Sequence, residues 1–125
     1  MKKPIIITLL YFFLTILTSF SQGEWIEEVI DPETGLRTGK IEINGVIATI
    51  NSGVDLSEIN LEGADLQGAN LERAILVTTN FKDANLKGAN LTYSRLNLAN
   101  FRNVNLSESN LSGSILLGSD FSSAN

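Results

Sequence analysis

Gly63-Ala64-Asp65-Leu66-Gln67-Gly68-Ala69-Asn70-Leu71 and, twenty residues on, Asp83-Ala84-Asn85-Leu86-Lys87-Gly88-Ala89-Asn90-Leu91 spell one five-residue phrase again and again. Taking Leu56 as a centre and stepping by five gives Leu61, Leu66, Leu71, Leu76, Phe81, Leu86, Leu91, Leu96, Phe101, Leu106, Leu111, Leu116 and Phe121. All fourteen centres are Leu or Phe. Two residues before each stands something compact, such as Ala64, Thr79, Ser94 or Val104. One residue before, Asn or Asp dominates, and the other two positions are polar or Gly.

A period of five fits neither a helix near 3.6 nor a strand of two, so no single amphipathic element accounts for it. It fits a chain that runs briefly extended and then turns a corner. The centre and the compact residue two before it then face inward, and the other three positions face water. Asn, Asp and Gly near the corners suit turn geometry. One repeat buries almost nothing alone, so stability must come from stacking coils, which is the logic of a solenoid.

These runs resemble the pentapeptide-repeat family, and the resemblance extends from Val54 to Asn125. It implies an all-β fold, a right-handed quadrilateral β-helix with four pentapeptides per coil. The sequence carries a check on that register. If residues twenty apart lie above one another, Phe81, Phe101 and Phe121 fall in one inner column as an aromatic ladder. Ile75, Arg95 and Ile115, which depart from Asn or Asp, fall in one outer column. Fourteen centres make about 3.5 coils, a rod about 17 Å tall at the usual strand spacing.

The same register sorts the outer residues into surfaces. Asn60, Asn80, Asn100 and Asp120 are expected to stack as one ladder, and Asn70, Asn90 and Asn110 as another. Glu62 lies beneath Lys82, and Arg73 beneath Tyr93, as surface pairs worth up to about 1 kcal/mol each. Ile75, Val77, Leu98, Ile115 and Leu117 break the polar pattern and gather on one side. They read as a docking surface or a dimer seam, unless the lead-in or an unseen neighbour folds back over them or drift at the corners buries some of them. The Asn-x-Ser/Thr sequons at Asn90, Asn105 and Asn110 follow from the repeat itself.

Upstream, the composition changes twice. Lys2 and Lys3 followed by the apolar run Ile5 to Phe20 have the outline of a secretory signal, residues 1–21, with cleavage before Gln22. An uncleaved membrane anchor is the alternative. Without cysteine a lipidated form carried on a thiol is not expected. Residues 22–53 read as a lead-in that caps the first coil, because a terminal repeat otherwise leaves bare core and an unpaired edge. Asp31-Pro32-Glu33-Thr34-Gly35 is a turn, and Ile41-Glu42-Ile43 and Val46 to Ile50 are short strands. Residues 24–30 fit either helix or strand, and Trp25 is expected to anchor the cap by packing. Residues 54–125 are the solenoid, whose last residues approach a centre that does not follow. This is expected either as truncation or as an open coil onto which another copy or partner stacks.

Function classes narrow by exclusion. The chain has no Cys and no His, which removes thiol nucleophiles, imidazole bases and Cys/His metal sites. Catalytic residues, cofactor and metal ligands are therefore expected to be absent. The net charge of −5, or −7 without Lys2 and Lys3, disfavours nucleic acid as a partner. The reading that remains is a non-catalytic structural or protein-interaction module exported to the periplasm or medium. It would bind an unknown protein or self-associate through the apolar face or the open coil, with no stable membrane insertion after leader removal. A DNA-mimicking gyrase inhibitor is the alternative. N-terminal sequencing of the chain recovered from an exporting cell should begin at Gln22, and recovery of intact Met1 in the membrane fraction would contradict the leader assignment.

Overall fold

A five-residue repeat has five backbone N–H groups to satisfy, and the coil satisfies them by one routine. Asn80 to Ala84 shows it. The Asn80 N–H donates to the Ile59 carbonyl of the coil below at 3.0 Å, and the Phe81 and Asp83 N–H groups donate to Asn100 and Arg102 of the coil above at 2.8 and 2.9 Å. The Ala84 N–H closes a turn on the Phe81 carbonyl at 2.9 Å. The Lys82 N–H, which points outward, is capped by Oδ1 of Asn80 at 3.1 Å. No N–H of this repeat is left without an acceptor.

The computed structural model describes residues 5–7, 24–43 and 45–125, and among these there are strands, bridges and turns but no helix. From Asp55 onward every bridge joins residues twenty apart: Asp55 to Ile75, Asn60 to Asn80, Asp65 to Asn85, Asn70 to Asn90, and so on to Asn100 with Asp120. Four pentapeptides therefore close one coil, and the rod is a quadrilateral β-helix. The centres from Leu61 to Phe101 are fully buried, as are Ala64, Ala69 and Ala74 two residues before their centres. Phe81 and Phe101 stack with centroids 5.0 Å apart, and Phe101 and Phe121 at 4.7 Å and nearly parallel. In the final coil the shielding thins: Leu106, Leu111 and Phe121 are partly buried and Leu116 is 38% exposed.

The corners are tighter than composition suggests. The residue two after each centre has positive φ at all fourteen repeats, and at nine of them it is not glycine. Thr78 and Leu98, at φ 57° and 59°, are the least suited, since left-handed backbone costs a residue with Cβ about 1–2 kcal/mol. Stacking above and below holds them there.

Beneath the first coil lies a four-stranded antiparallel sheet of β1 (Ile5–Ile7), β2 (Glu24–Ile30), β3 (Arg37–Ile43) and β4 (Val46–Ile50), in that order. Residues 24–30 are thus strand, held by pairing on both sides. Of the expected leader only Ile5–Ile7 are described, as the edge strand beside β2, and the cleavage point before Gln22 falls outside the described residues. Trp25, Ile41, Ile43, Ala48 and Ile50 join the solenoid leucines in one apolar cluster. Trp25 is a packing anchor: its indole N–H donates to the Asp65 carbonyl at 3.0 Å, and the Arg37 guanidinium lies 4.6 Å over its ring. Arg37 also extends the coil ladder downward, bridging to Ala69 in parallel through Gly68 and Asn70.

Two substitutions test this packing. Phe101→Ala should cost about 3–5 kcal/mol in a denaturant melt, and Phe101→Leu about 1–2, because leucine is the usual centre and only stacking and some volume are lost. Gly39→Ala should cost about 3 kcal/mol: φ there is +137°, and a Cβ would lie 1.9 Å from the Glu27 carbonyl oxygen beside the β2 irregularity. A melt of Gly39→Ala unchanged from the parent would contradict this account of the cap.

Candidate functional site

Every Asn or Asp one residue before a centre does one job, and some of the Asn residues do a second. Its Oδ1 caps the N–H two residues on, and where the residue is Asn its amide can reach the coil below. Asn80 Nδ2 donates to Asn60 Oδ1 and Asn100 Nδ2 to Asn80 Oδ1, both at 2.9 Å. Asn85 donates to Asp65 at 3.1 Å. The first expected ladder therefore runs from Asn60 to Asn100 but does not continue to Asp120, because a carboxylate has no N–H to send downward. Asp120 instead takes Arg102 at 2.6 Å. With the Ser122 hydroxyl and N–H ahead of it in effect, Arg102 helps bring the Asp120 carboxyl down to about 2. The second expected ladder, Asn70 to Asn110, is aligned by backbone bridges, and its side chains cap Glu72, Thr92 and Ser112 rather than one another.

One column does none of this. Above Asp55, which caps Ser57 at 3.0 Å and is held below the usual carboxylate range by the Ser57 hydroxyl and N–H, come Ile75, Arg95 and Ile115. None offers a capping oxygen, so among the described residues the N–H groups of Val77, Asn97 and Leu117 have no acceptor. The other eleven such N–H groups are capped. Each missing cap forgoes about 1 kcal/mol.

The expected apolar residues lie on this face. Ile75 and Val77 are half-buried, while Leu98 is 62%, Ile115 53% and Leu117 77% exposed. Leu98 stands at the corner beneath Gly118, where an added Cβ would approach its Cδ2 to 2.7 Å. No described part of the lead-in covers Leu98, Ile115 or Leu117. Two polar residues in the middle of the face escaped the sequence reading as a pair. Arg95 is the one Lys or Arg among the described residues with no ion pair, and Asn97 Oδ1 is buried with no donor. The signal was present in the non-Asn column, but its meaning depends on knowing that the missing side chain is a cap.

Elsewhere on the solenoid the charged side chains are mostly paired, and the cap exposes Val46 and Ile47. Lys82 meets Glu62 at 2.7 Å and Lys87 meets Glu108 at 3.2 Å, from one coil to the next, and Arg73 lies 5.9 Å over the Tyr93 ring. Among the described residues no cluster of three or more acidic side chains is placed to hold a metal ion.

Comparison with known proteins agrees with this geometry. The family model described as pentapeptide repeats matches in eight copies, over residues 55–92, 79–118 and 99–125. No curated protein matches the chain. Among solved structures, it is similar to the pentapeptide repeat protein Rfr23 from the cyanobacterium Cyanothece 51142, at 30% identity and a TM-score of 0.50 over 62% of this chain and 60% of that one. It is also similar to HetL, a pentapeptide repeat protein involved in heterocyst differentiation regulation from the cyanobacterium Nostoc sp. strain PCC 7120, at 29% identity and a TM-score of 0.42 over 56% and 38% of the two chains. A pentapeptide repeat protein of the Arabidopsis thaliana thylakoid lumen matches at 33% identity and a TM-score of 0.29 over 59% of each chain. The match thus spans less than two thirds of each relative's own length. With more than half its length matched and coils that close every twenty residues, the chain belongs to the pentapeptide-repeat family and folds as its right-handed quadrilateral β-helix.

Proposed function

We propose that this protein is a non-catalytic interaction module, exported from the cytoplasm, that binds a protein partner through the face of Ile75, Val77, Leu98, Ile115 and Leu117. The observation that carries the reading is a coincidence. Within the solenoid, Leu98, Ile115 and Leu117 expose apolar surface in and beside the column where the coil gives up its caps, at a cost no other column bears. A local rule kept at eleven positions and broken at three stacked ones marks a surface selected for something besides stability. Export rests on the basic and apolar leader, and the non-catalytic reading on the lack of Cys and His.

DNA mimicry needs a continuous negative field. Here acids and bases interleave, with Glu62 on Lys82, Glu108 on Lys87 and Asp120 on Arg102. The purified protein should leave gyrase supercoiling unchanged in an agarose-gel assay, and inhibition at stoichiometric amounts would favour mimicry instead.

The decisive variant restores the caps. Ile75→Asn with Ile115→Asn should raise stability by about 1–2 kcal/mol in a denaturant melt while abolishing binding of the partner cross-linked to the parent protein in its native envelope or medium. Stability up with binding intact would show that the face has no part in recognition.

A further inference from the structure

Seen from outside, the face is a small grid. Ile75, Arg95 and Ile115 form one column, and Val77, Asn97 and Leu117 form another two residues along, about 7 Å away. The rows alternate in character: Ile75 with Val77, then Arg95 with Asn97, then Ile115 with Leu117. Neither polar side chain of the middle row makes a direct ion pair, and the Asn97 carboxamide oxygen makes no hydrogen bond within the chain. Arg95 has no carboxylate in ion-pair contact, only the more distant charge of Asp55 at the foot of its column.

Resting on the interaction reading above, we propose that the partner of this face is a second copy of the chain, related by a two-fold axis parallel to the solenoid axis. Such an axis exchanges the two columns at constant height. Ile75 of each copy lies on Val77 of the other, Ile115 lies on Leu117, and Arg95 lies on Asn97, twice over by symmetry. The guanidinium donates to the carboxamide oxygen that lacks a donor, after a rotamer change brings that oxygen to the surface. At the foot of the columns Asp55 lies opposite Ser57, whose hydroxyl stays on its own Asp55 at 2.7 Å. The opposite arrangement, with the copies head to tail, sets Arg95 against Arg95 and is disfavoured by charge. The apolar rows span about three coils, roughly 14 Å. This is smaller than a standard interface of about 800 Å² per partner, so the dimer forms and dissociates with concentration.

Sedimentation velocity of the protein as the exporting cell leaves it, from about 1 µM to 1 mM, should show mass rising toward twice the protomer. Leu117→Asp should weaken this more than about tenfold, with an unchanged circular-dichroism melt. Because the chain has no cysteine, introduced thiols report the arrangement directly. Mixed Ile75→Cys and Val77→Cys copies should cross-link on mild oxidation, and mixed Ile75→Cys and Ile115→Cys copies should not. Mass constant at one protomer, association that survives Leu117→Asp, or cross-linking of the 75/115 pair instead would each overturn the proposal. Constant mass together with a different envelope protein released by Ile75→Asn/Ile115→Asn would end the second-copy assignment and leave the interaction face standing. Constant mass with no such protein would end both.

Discussion

The outward N–H of each pentapeptide decides what the rest of this molecule can be. Four of the five N–H groups in a repeat are satisfied by neighbouring coils and the turn, whatever side chains are present. The fifth has an acceptor only if the side chain before the centre supplies one. Asn and Asp therefore recur at that position because a single side-chain oxygen completes the backbone accounting, and at Asn80, Asn85 and Asn100 the amide also reaches the coil below. The solenoid's monotony follows from this requirement, and so does the visibility of any departure from it.

Much of the fold was legible beforehand because the strongest signal, a buried Leu or Phe every fifth residue, reports directly on which side chains are dry. The twenty-residue coil could be read from Phe81, Phe101 and Phe121, since an aromatic ring placed in the core needs a matching space above and below it. What escaped was backbone conformation. Nothing in the letters Thr78 or Leu98 announces a left-handed corner, because tertiary stacking overrides the intrinsic preference of those residues. The state of residues 24–30 was equally hidden, as their short apolar spacing suits either element until β1 and β3 pair with them.

For the candidate face, composition identified the apolar residues but not their company. Ile75, Val77, Leu98, Ile115 and Leu117 stand out by hydrophobicity alone, whereas Arg95 and Asn97 are unremarkable letters in a polar repeat. Their significance lies in what they fail to touch, and that is a property of three-dimensional neighbours. Outward apolar side chains with forfeited caps and two unmatched polar groups form a surface whose chemistry is incomplete within one chain.

The amide rungs between coils also have a sense of direction. Asn80 and Asn100 hand a proton donor down toward the N-terminal end, as do Asn85 onto Asp65 and Asn103 onto Asp83. A carboxylate can therefore sit at the foot of a rung but cannot stand above one and continue it, as Asp120 shows. Anyone splicing repeats from one such protein into another inherits a grammar of order: acid below amide reads correctly, and the same two letters exchanged leave a gap in the stack.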